Sequence, residues 1–410
     1  MRLRTFAVSV FSLLSVLVGG THAAESSEPA AFSWKGVIAA GDRPLTVLPP
    51  TAPDAHKPWP VVFYLENLSA PRIGTDSNDA IVADLRAAGH LVVIVDYQND
   101  PRAHVPFLNR DLAKLRDDLR AGALLKDLPV DPARVYIVPA GHRLKRDIVF
   151  YRDAGRTLAL DLIYPSGQPA KKPGTVLEFS CDNKDRMGNT SLSICSDTLL
   201  DGLATEGFAV AMADHPVAPP YKGLDAMPES AWKIKAAVRT LRTEVSSLGL
   251  GDRIVPVGFS RGSGMALMLL TTEGLAEFEG HGENPGVSSA VQGAAVMSGR
   301  FTYLQLLPGD HMIPRYDKAW GTLEKNRDTW RAHGALDYLK APTAPLFLTI
   351  NCSEAPDALF QMTVLRTRLA ELGNDEIFLM DRTPRGHKVA LDPAILEALS
   401  RYVARQLSPD

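Results

Sequence analysis

Three residue types, far apart along the chain, could together attack an ester carbonyl. The first is Ser260, at the centre of Gly258-Phe259-Ser260-Arg261-Gly262. A serine hydroxyl is a poor nucleophile at neutral pH. It needs a base within hydrogen-bond reach, and the base needs an acid to orient it. His387 supplies an imidazole from the turn-rich run Thr383-Pro384-Arg385-Gly386-His387-Lys388. The carboxylate is expected from Asn351-Cys352-Ser353-Glu354-Ala355-Pro356-Asp357, with Glu354 favoured and Asp357 as the alternative acid. Such a set performs acyl transfer through a covalent acyl-serine.

A Gly-x-Ser-x-Gly pentapeptide arises by chance roughly 0.1–0.2 times in a chain of this size, so the flanking elements carry the weight. The apolar run from Ile254 to Val257 predicts a buried strand, and Met265 to Leu270 predicts a helix. A strand, a sharp turn and a helix are what a nucleophile elbow requires. Side chains at Gly258 and Gly262 are expected to collide with the adjoining strand and helix. The backbone N–H of Arg261 would then be one oxyanion donor at the start of that helix. His387 follows a predicted strand, Glu376 to Met380, and precedes a last helix with Asp392 as N-cap and Pro393 in its first turn.

Strands alternate with helices along the rest of the chain, which predicts an α/β fold with parallel βαβ units. Residues 25–60 read as irregular and rich in proline. Strands are then expected at Val61–Leu65, Leu91–Val95 and Val135–Val138, with helices between them. The pattern begins again with a hairpin of Asp147–Tyr151 and Leu158–Tyr164. Ile234, Val238, Leu241, Val245 and Leu248, spaced four, three, four and three, mark the buried face of a long helix. The two passes resemble each other, and Ala140 stands in the first where Ser260 stands in the second. The division expected is a leader at 1–23, an N-terminal α/β module at 25–140 (a degenerate half-copy of the second) and a catalytic domain at 145–410.

The 410 residues are 45% hydrophobic and 22% charged, with a net charge of −3, values ordinary for a globular chain with ample core. No basic stripe points to nucleic acid. Arg2 and Arg4, the apolar stretch Phe6–Val18 and Thr21-His22-Ala23 read as an export leader, so a secreted or periplasmic protein is expected. No other segment is long and apolar enough to span a membrane, so none is expected in the mature chain. Cys181, Cys195 and Cys352 follow the leader. An oxidising compartment allows one disulfide, and Cys181–Cys195 would close a short loop worth on the order of 3 kcal/mol; three free thiols are the alternative. Asp182-Asn183-Lys184-Asp185 lacks the glycine and distal glutamate of a calcium loop and reads as a polar turn. No metal or cofactor is expected.

Residues from about 145 to 410 resemble an α/β-hydrolase, close to the esterase branch that deacylates polysaccharides and small esters. The resemblance rests on Leu160-Asp161-Leu162-Ile163-Tyr164-Pro165, Ala236-Ala237-Val238-Arg239, the Ser260 pentapeptide and Gly386-His387, in the chain order serine, acid, histidine. It implies a mostly parallel eight-stranded sheet with the site at the strands' carboxyl ends, and a small-molecule or carbohydrate ester as substrate. In such a sheet the strands before Cys181 and Cys352 are not neighbours, so at ~4.8 Å per strand step those two cysteines cannot bridge. The branch often carries His-Gly-Gly after the third strand; here that strand runs into Phe179-Ser180-Cys181, leaving the backbone of Ser180 or Cys181 as the second oxyanion donor. The long connection Phe301–Tyr338 carries Tyr303, Tyr316, Trp320 and Trp330, which would either stack on a substrate ring or pack a cap onto the core. Two rivals use the same sequence features: a peptidase of the prolyl-oligopeptidase type, and a non-catalytic binding protein on a hydrolase scaffold.

Overall fold

In the computed structural model of the protein, residues 30–38, 42–51, 58–69, 72–104, 107–153, 156–167, 169, 172–179, 186, 197–216, 227–388 and 392–408 are described. The leader, the Cys181 and Cys195 pair, Ser180 and the turn at 182–185 lie outside them.

The first unit runs β1 (Ala30–Trp34), β2 (Arg43–Leu48), β3 (Trp59–Glu66), α1 (Asn78–Ala87), β4 (Leu91–Asp96), α2 (Leu108–Arg120) and β5 (Val130–Pro139). Its sheet has the order β1-β2-β4-β3-β5. β1 and β2 fall in the stretch read as irregular, which corrects that expectation. The prolines hide a short alternation in which Arg43, Leu45 and Val47 point inward. Tertiary contacts fix this strand: Leu45 and Val47 pack into the core, and Arg43 pairs with Asp100 at 3.0 Å. Local propensity carries little of this information.

The second unit begins at His142, three residues before the expected boundary. It comprises β6 (His142–Asp153), β7 (Arg156–Pro165), β8 (Thr175–Phe179), α3 (Asp197–Thr205), β9 (Ala209–Ala213), α4 (Glu229–Ser247), β10 (Ile254–Phe259), α5 (Arg261–Thr271), α6 (Ala276–Glu279), β11 (Ala294–Met297), α7 (Ile313–Trp320), α8 (Arg327–His333), a 3-10 turn (Ala335–Tyr338), β12 (Leu346–Asn351), α9 (Pro356–Glu371), β13 (Glu376–Asp381) and α10 (Pro393–Leu407). Its sheet has eight strands in the order β13-β12-β11-β10-β8-β9-β7-β6. The sheet is mixed: β13, β12, β11, β10, β8 and β9 run parallel, whereas β7 is antiparallel to both β9 and β6.

Strand periodicity distributes the core between the two faces of this sheet. Val255, Val257 and Phe259 of β10 point to one side with α3 and α10, while Ile254 points to the other with α4, α5 and α9. The first side also receives Val62, Tyr64, Val92 and Val138 of the smaller sheet and Ile81 and Leu85 of α1. The two units are therefore joined by a shared apolar layer, each large side chain in it worth roughly 1.5–3 kcal/mol. A buried ion pair crosses the same junction: Arg116 of α2 donates to Asp201 of α3 at 2.9 Å and to the Val135 carbonyl at 2.7 Å. α2 covers the outer face of the smaller sheet through Leu108, Leu112, Leu115 and Leu119. No helix among the described residues is long and apolar enough to cross a membrane.

Candidate active site

β10 is buried along its whole length between β8 and β11, so its carboxyl end is held in place from both sides. The chain then turns sharply at Ser260, with φ 56° and ψ −118°. L residues rarely adopt that region, and holding one there costs on the order of 1–3 kcal/mol. Neighbouring bonds enforce it. Ser260 N–H donates to the Met297 carbonyl at 3.1 Å, and Ser263 N–H donates to the Ser260 carbonyl at 3.1 Å. The buried Ser263 hydroxyl lies 2.8–3.0 Å from the carbonyls of Gly258, Met297 and Ser298 and accepts from Met297 N–H at 3.0 Å. At Gly258 a β-carbon would sit 2.1 Å from the Gly262 carbonyl oxygen, so strand and helix backbones touch there and no side chain fits. Gly262 is less constrained: its nearest neighbour would be the Phe179 carbonyl oxygen at 3.3 Å. The expected collision thus holds at full strength for Gly258 alone.

His387 stands on the loop after β13. Its Nε2 lies 2.9 Å from Ser260 Oγ, and its Nδ1 lies 3.0 Å from Glu354 Oε1. The Phe259 ring lies 4.7 Å from the imidazole. Glu354, on the loop after β12, has a side chain only 2% exposed. Burial alone would raise its pKa, but hydrogen bonds from His387 and Ser298 outweigh that and hold the carboxyl below its ordinary value. Ser298 Oγ donates to Glu354 Oε2 at 2.8 Å, leaving Oε1 to face the imidazole. Asp357 does not join this chain of bonds. It lies in the first turn of α9, where it pairs with Arg300 and lies 3.3 Å from His311 Nδ1.

Both loops hang on Asn351, the last residue of β12. Its amide donates to Asp381 Oδ2 at 2.9 Å and to the Thr383 carbonyl at 2.8 Å. Its Oδ1 accepts from the N–H of Ser353 at 2.9 Å and of Arg385 at 3.2 Å. One buried side chain thus fixes the acid's loop against the histidine's loop. The sequence reading gives no role to Asn351, quoted there only as the start of the acid's run, and does not name Ser298. The available signal is a polar residue immediately after an apolar strand at the carboxyl edge of the sheet.

Ser260, His387 and Glu354 open into a cleft of about 460 Å³. One wall is apolar, with Ala231 and Ile234 of α4 and Met265 and Met268 of α5. The other carries Arg261, Arg300, Arg315, His311 and the aromatic residues of the long connection. Trp320 stacks on Tyr316 at 4.9 Å and on His333 at 4.0 Å between ring centres. Trp320 is thereby packed within the wall. Asp310, His311 and Asp357 bring ligand atoms within 4.8 Å of one another, but their positive charge comes from Arg300, whose guanidinium donates to both aspartates.

No protein-family model matches the sequence, and no curated protein matches it. Solved structures do match. A truncated carbohydrate esterase from gut microbiota aligns over 65% of this chain and 96% of its own, with a TM-score of 0.55 at 15% identity. A bifunctional GH43-CE protein of Bacteroides eggerthii aligns over 65% of this chain at 20% identity and a TM-score of 0.53; the match spans 38% of that longer protein. A thermophilic esterase of the planctomycete Thermogutta terrifontis, with propionate bound, aligns over 66% of this chain and 97% of its own at 16% identity and a TM-score of 0.50. The chain has the fold of these esterases. In that fold the cleft at the carboxyl ends of the parallel strands is where a ligand is expected, and Ser260, Glu354 and His387 all stand there.

Of the residues anticipated for the site, Ser260, Glu354 and His387 come together, and Arg261 provides the first N–H of α5 beside Ser260. Ser180 and Cys181, the candidate second donors, lie outside the described residues. Cys352 is a free thiol.

Proposed function

We propose that the protein is an exported serine carboxylic-ester hydrolase of the α/β-hydrolase superfamily, acting on acylated carbohydrate or other small esters. The observation that carries this reading is the continuous hydrogen-bonded chain from Ser260 Oγ through His387 to Glu354, built onto a strained elbow and open to a cleft. Ser260 Oγ attacks the ester carbonyl while His387 Nε2 takes its proton. Glu354 accepts from Nδ1–H, fixes the tautomer and stabilises the imidazolium that forms. The carbonyl oxygen becomes an oxyanion facing the N–H of Arg261, with the backbone of Ser180 or Cys181 as second donor; one such donor is worth roughly 2.7–4 kcal/mol of barrier. His387 then protonates the leaving alcohol. A water, deprotonated by the same imidazole, releases the acid and regenerates Ser260.

The depressed pKa of Glu354 keeps it ionised through neutral pH. Its contribution is present above that pKa and fades as the pH falls through it. Export is supported by the leader composition of residues 1–23, and the mature protein should begin at Ala24. A fluorophosphonate probe tests the chemistry. Labelling should map to Ser260, and Ser260→Ala should abolish labelling and lower kcat on a p-nitrophenyl ester by at least about 10⁴-fold while the protein stays folded. A folded wild-type chain that neither labels nor turns over any ester would be a binding protein on this scaffold.

A further inference from the structure

The cleft has two chemically different ends, set by the order of the larger sheet. α5 starts beside Ser260, over the middle of that sheet. α4 lies over the β6 edge: its Glu244 pairs with Lys145 of β6, and Lys233 Nζ sits 5.4 Å from the centre of the Tyr151 ring. α9 lies over the opposite edge: its Arg366 pairs with Glu376 of β13 at 2.7 Å and stands 4.0 Å over the Phe378 ring. Glu354 and His387 come from the loops after β12 and β13, so both stand at the α9 end.

This placement sorts the two halves of an ester. In the tetrahedral intermediate the reacting carbon carries Ser260 Oγ, the oxyanion, the leaving oxygen and the acyl chain. The oxyanion faces the N–H of Arg261. The leaving oxygen must come within reach of His387 Nε2 to be protonated, so the alcohol takes the α9 end. The acyl chain is directed the other way, toward α4. There the cleft is an apolar slot between two helix faces. On α5, Arg261, Gly264, Met265 and Met268 fall at i, i+3, i+4 and i+7 and line it together. Ala231 and Ile234 of α4 face them. Ala231, Ile234, Met265 and Met268 are each at most 6% exposed, so the slot is narrow as well as apolar. Met268 lies about 10 Å along the helix axis from Arg261. Helix side chains lean toward the N-terminus, so its thioether closes the slot about one turn sooner, leaving roughly 5 Å. With carbon–carbon bonds of about 1.5 Å, that length holds about three to five carbons beyond the ester carbonyl.

We propose that this slot binds the acyl chain and that Met268 sets its length, so that the enzyme selects esters of short, unbranched fatty acids of about four to six carbons. This rests on the esterase reading above and names the acid half of its substrate. An acetyl group leaves the slot unfilled and forgoes the burial that favours a longer chain. A much longer chain runs into the Met268 side chain. Met268 takes no part in the bond-making steps; it is a specificity-determining residue.

The test is kcat/KM across p-nitrophenyl esters from acetate to dodecanoate. Each methylene buried in the slot should raise it about fourfold, up to a maximum at about butanoate to hexanoate, beyond which it should fall. Met268→Ala lengthens the slot, so the maximum should move to chains about two to three carbons longer. Met268→Trp fills it with a larger, stiffer group, so the maximum should move to acetate or propionate. The hexanoate-to-acetate ratio is read within each variant, so any change in its overall rate cancels, and a cooperative melting curve reports that the variant is folded. Alkyl acetates, lengthened on the alcohol side, should lack the fourfold steps. The proposal is overturned if wild type prefers acetate, if the steps appear in the alcohol series instead, or if a folded Met268 variant keeps the wild-type maximum. Failure of the esterase reading looks different: no ester of any length is cleaved.

Discussion

Replacing Ser298 with alanine should slow turnover without weakening substrate binding. Ser298 sits one residue past β11 with φ 50°, its hydroxyl 2.8 Å from Glu354 Oε2 and 3.4 Å from His387 Nδ1. Without the hydroxyl, one oxygen of a nearly buried carboxylate loses its partner. Hydrogen bonds to charged groups are worth about 1.5–3 kcal/mol, so kcat should fall roughly 10- to 150-fold. The loss belongs to the step in which the imidazolium forms, so KM for a neutral aryl ester should stay within about twofold. The bond also helps to depress the Glu354 pKa. Removing it raises that pKa toward the ordinary carboxylate value. Ser298→Gly separates hydroxyl from backbone. Glycine takes a positive φ without strain, so this variant should lose kcat to the same extent while melting at a higher temperature than Ser298→Ala. Steady-state kinetics, with a melting curve for each variant, check all three outcomes. A Ser298→Ala enzyme within twofold of wild type in kcat would refute the claim that this hydroxyl orients Glu354.

Glu354→Gln should lower kcat by on the order of 10⁴-fold, because an amide leaves His387 with the wrong partner; Asp357→Asn should leave the chemistry within about tenfold of wild type, and the same p-nitrophenyl ester assay ranks the two. Arg116→Met should destabilise the whole chain, because it removes the guanidinium that holds the buried carboxylate of Asp201; losing one partner of a buried pair costs about 3–5 kcal/mol. Arg116→Met/Asp201→Leu should recover most of that, in a single urea transition that reports both units unfolding together. Burial lowers the pKa of His90 and of His142 to about 4, so the unfolded chain binds more protons than the folded one below about pH 6.5. The stability these neutral histidines contribute, on the order of 3 kcal/mol each, is present above that pH and is lost as the pH falls toward 4. Urea midpoints should drop across this window, and His90→Gln should flatten the slope. Glu206 behaves in the opposite sense. Burial and the nearby Glu397 raise its pKa to about 7, so stability is lost as the pH rises from the ordinary carboxylate range through 7, and Glu206→Gln should raise the melting temperature at pH 8 more than at pH 5.

What could be read from the sequence was what is local or periodic. The helix face through Ile234, Val238, Leu241 and Val245 is buried as its spacing predicts. Asp392 caps α10, accepting from Ala394 N–H at 2.9 Å. The elbow could be read because backbone contact at Gly258 leaves glycine as the one residue that fits, so geometry is written directly into residue type. β1 and β2 could not be read, because they are strands by virtue of what Leu45, Val47 and Arg43 meet elsewhere in the fold. Ser298 and Asn351 escaped for a related reason. Each is an ordinary polar residue at a strand end, and its role exists only once β11, β12 and β13 are side by side.

The sheet topologies carry one further step. In the larger sheet the run β6-β7-β9-β8-β10 has antiparallel, antiparallel, parallel and parallel pairings. In the smaller sheet β1-β2-β4-β3-β5 has the same four pairings in the same order. The helices also correspond: α1 and α3 follow equivalent strands and enter the same shared core, while α2 and α4 cover the outer faces. We infer that the first unit is a half-copy of the second, cut off at the strand that in the second leads into Ser260. The break has a physical correlate. β10 runs into Ser260 and a helix whose first N–H groups face the cleft, whereas β5 ends at Pro139 and the chain turns through Ala140 and Gly141, with φ 81°, straight into β6. Neither a hydroxyl nor a helix N-terminus exists at that position to support chemistry. The half-copy instead keeps its packing surface: Tyr64 donates to Asn78 at 2.9 Å and accepts from Gly141 N–H at 3.1 Å, and these bonds lie where the two units join. Its packing surface lies against α3 and β6 of the second unit, in the apolar layer the two units share. Loss of the first unit should reach Ser260 through stability, without altering the elbow itself.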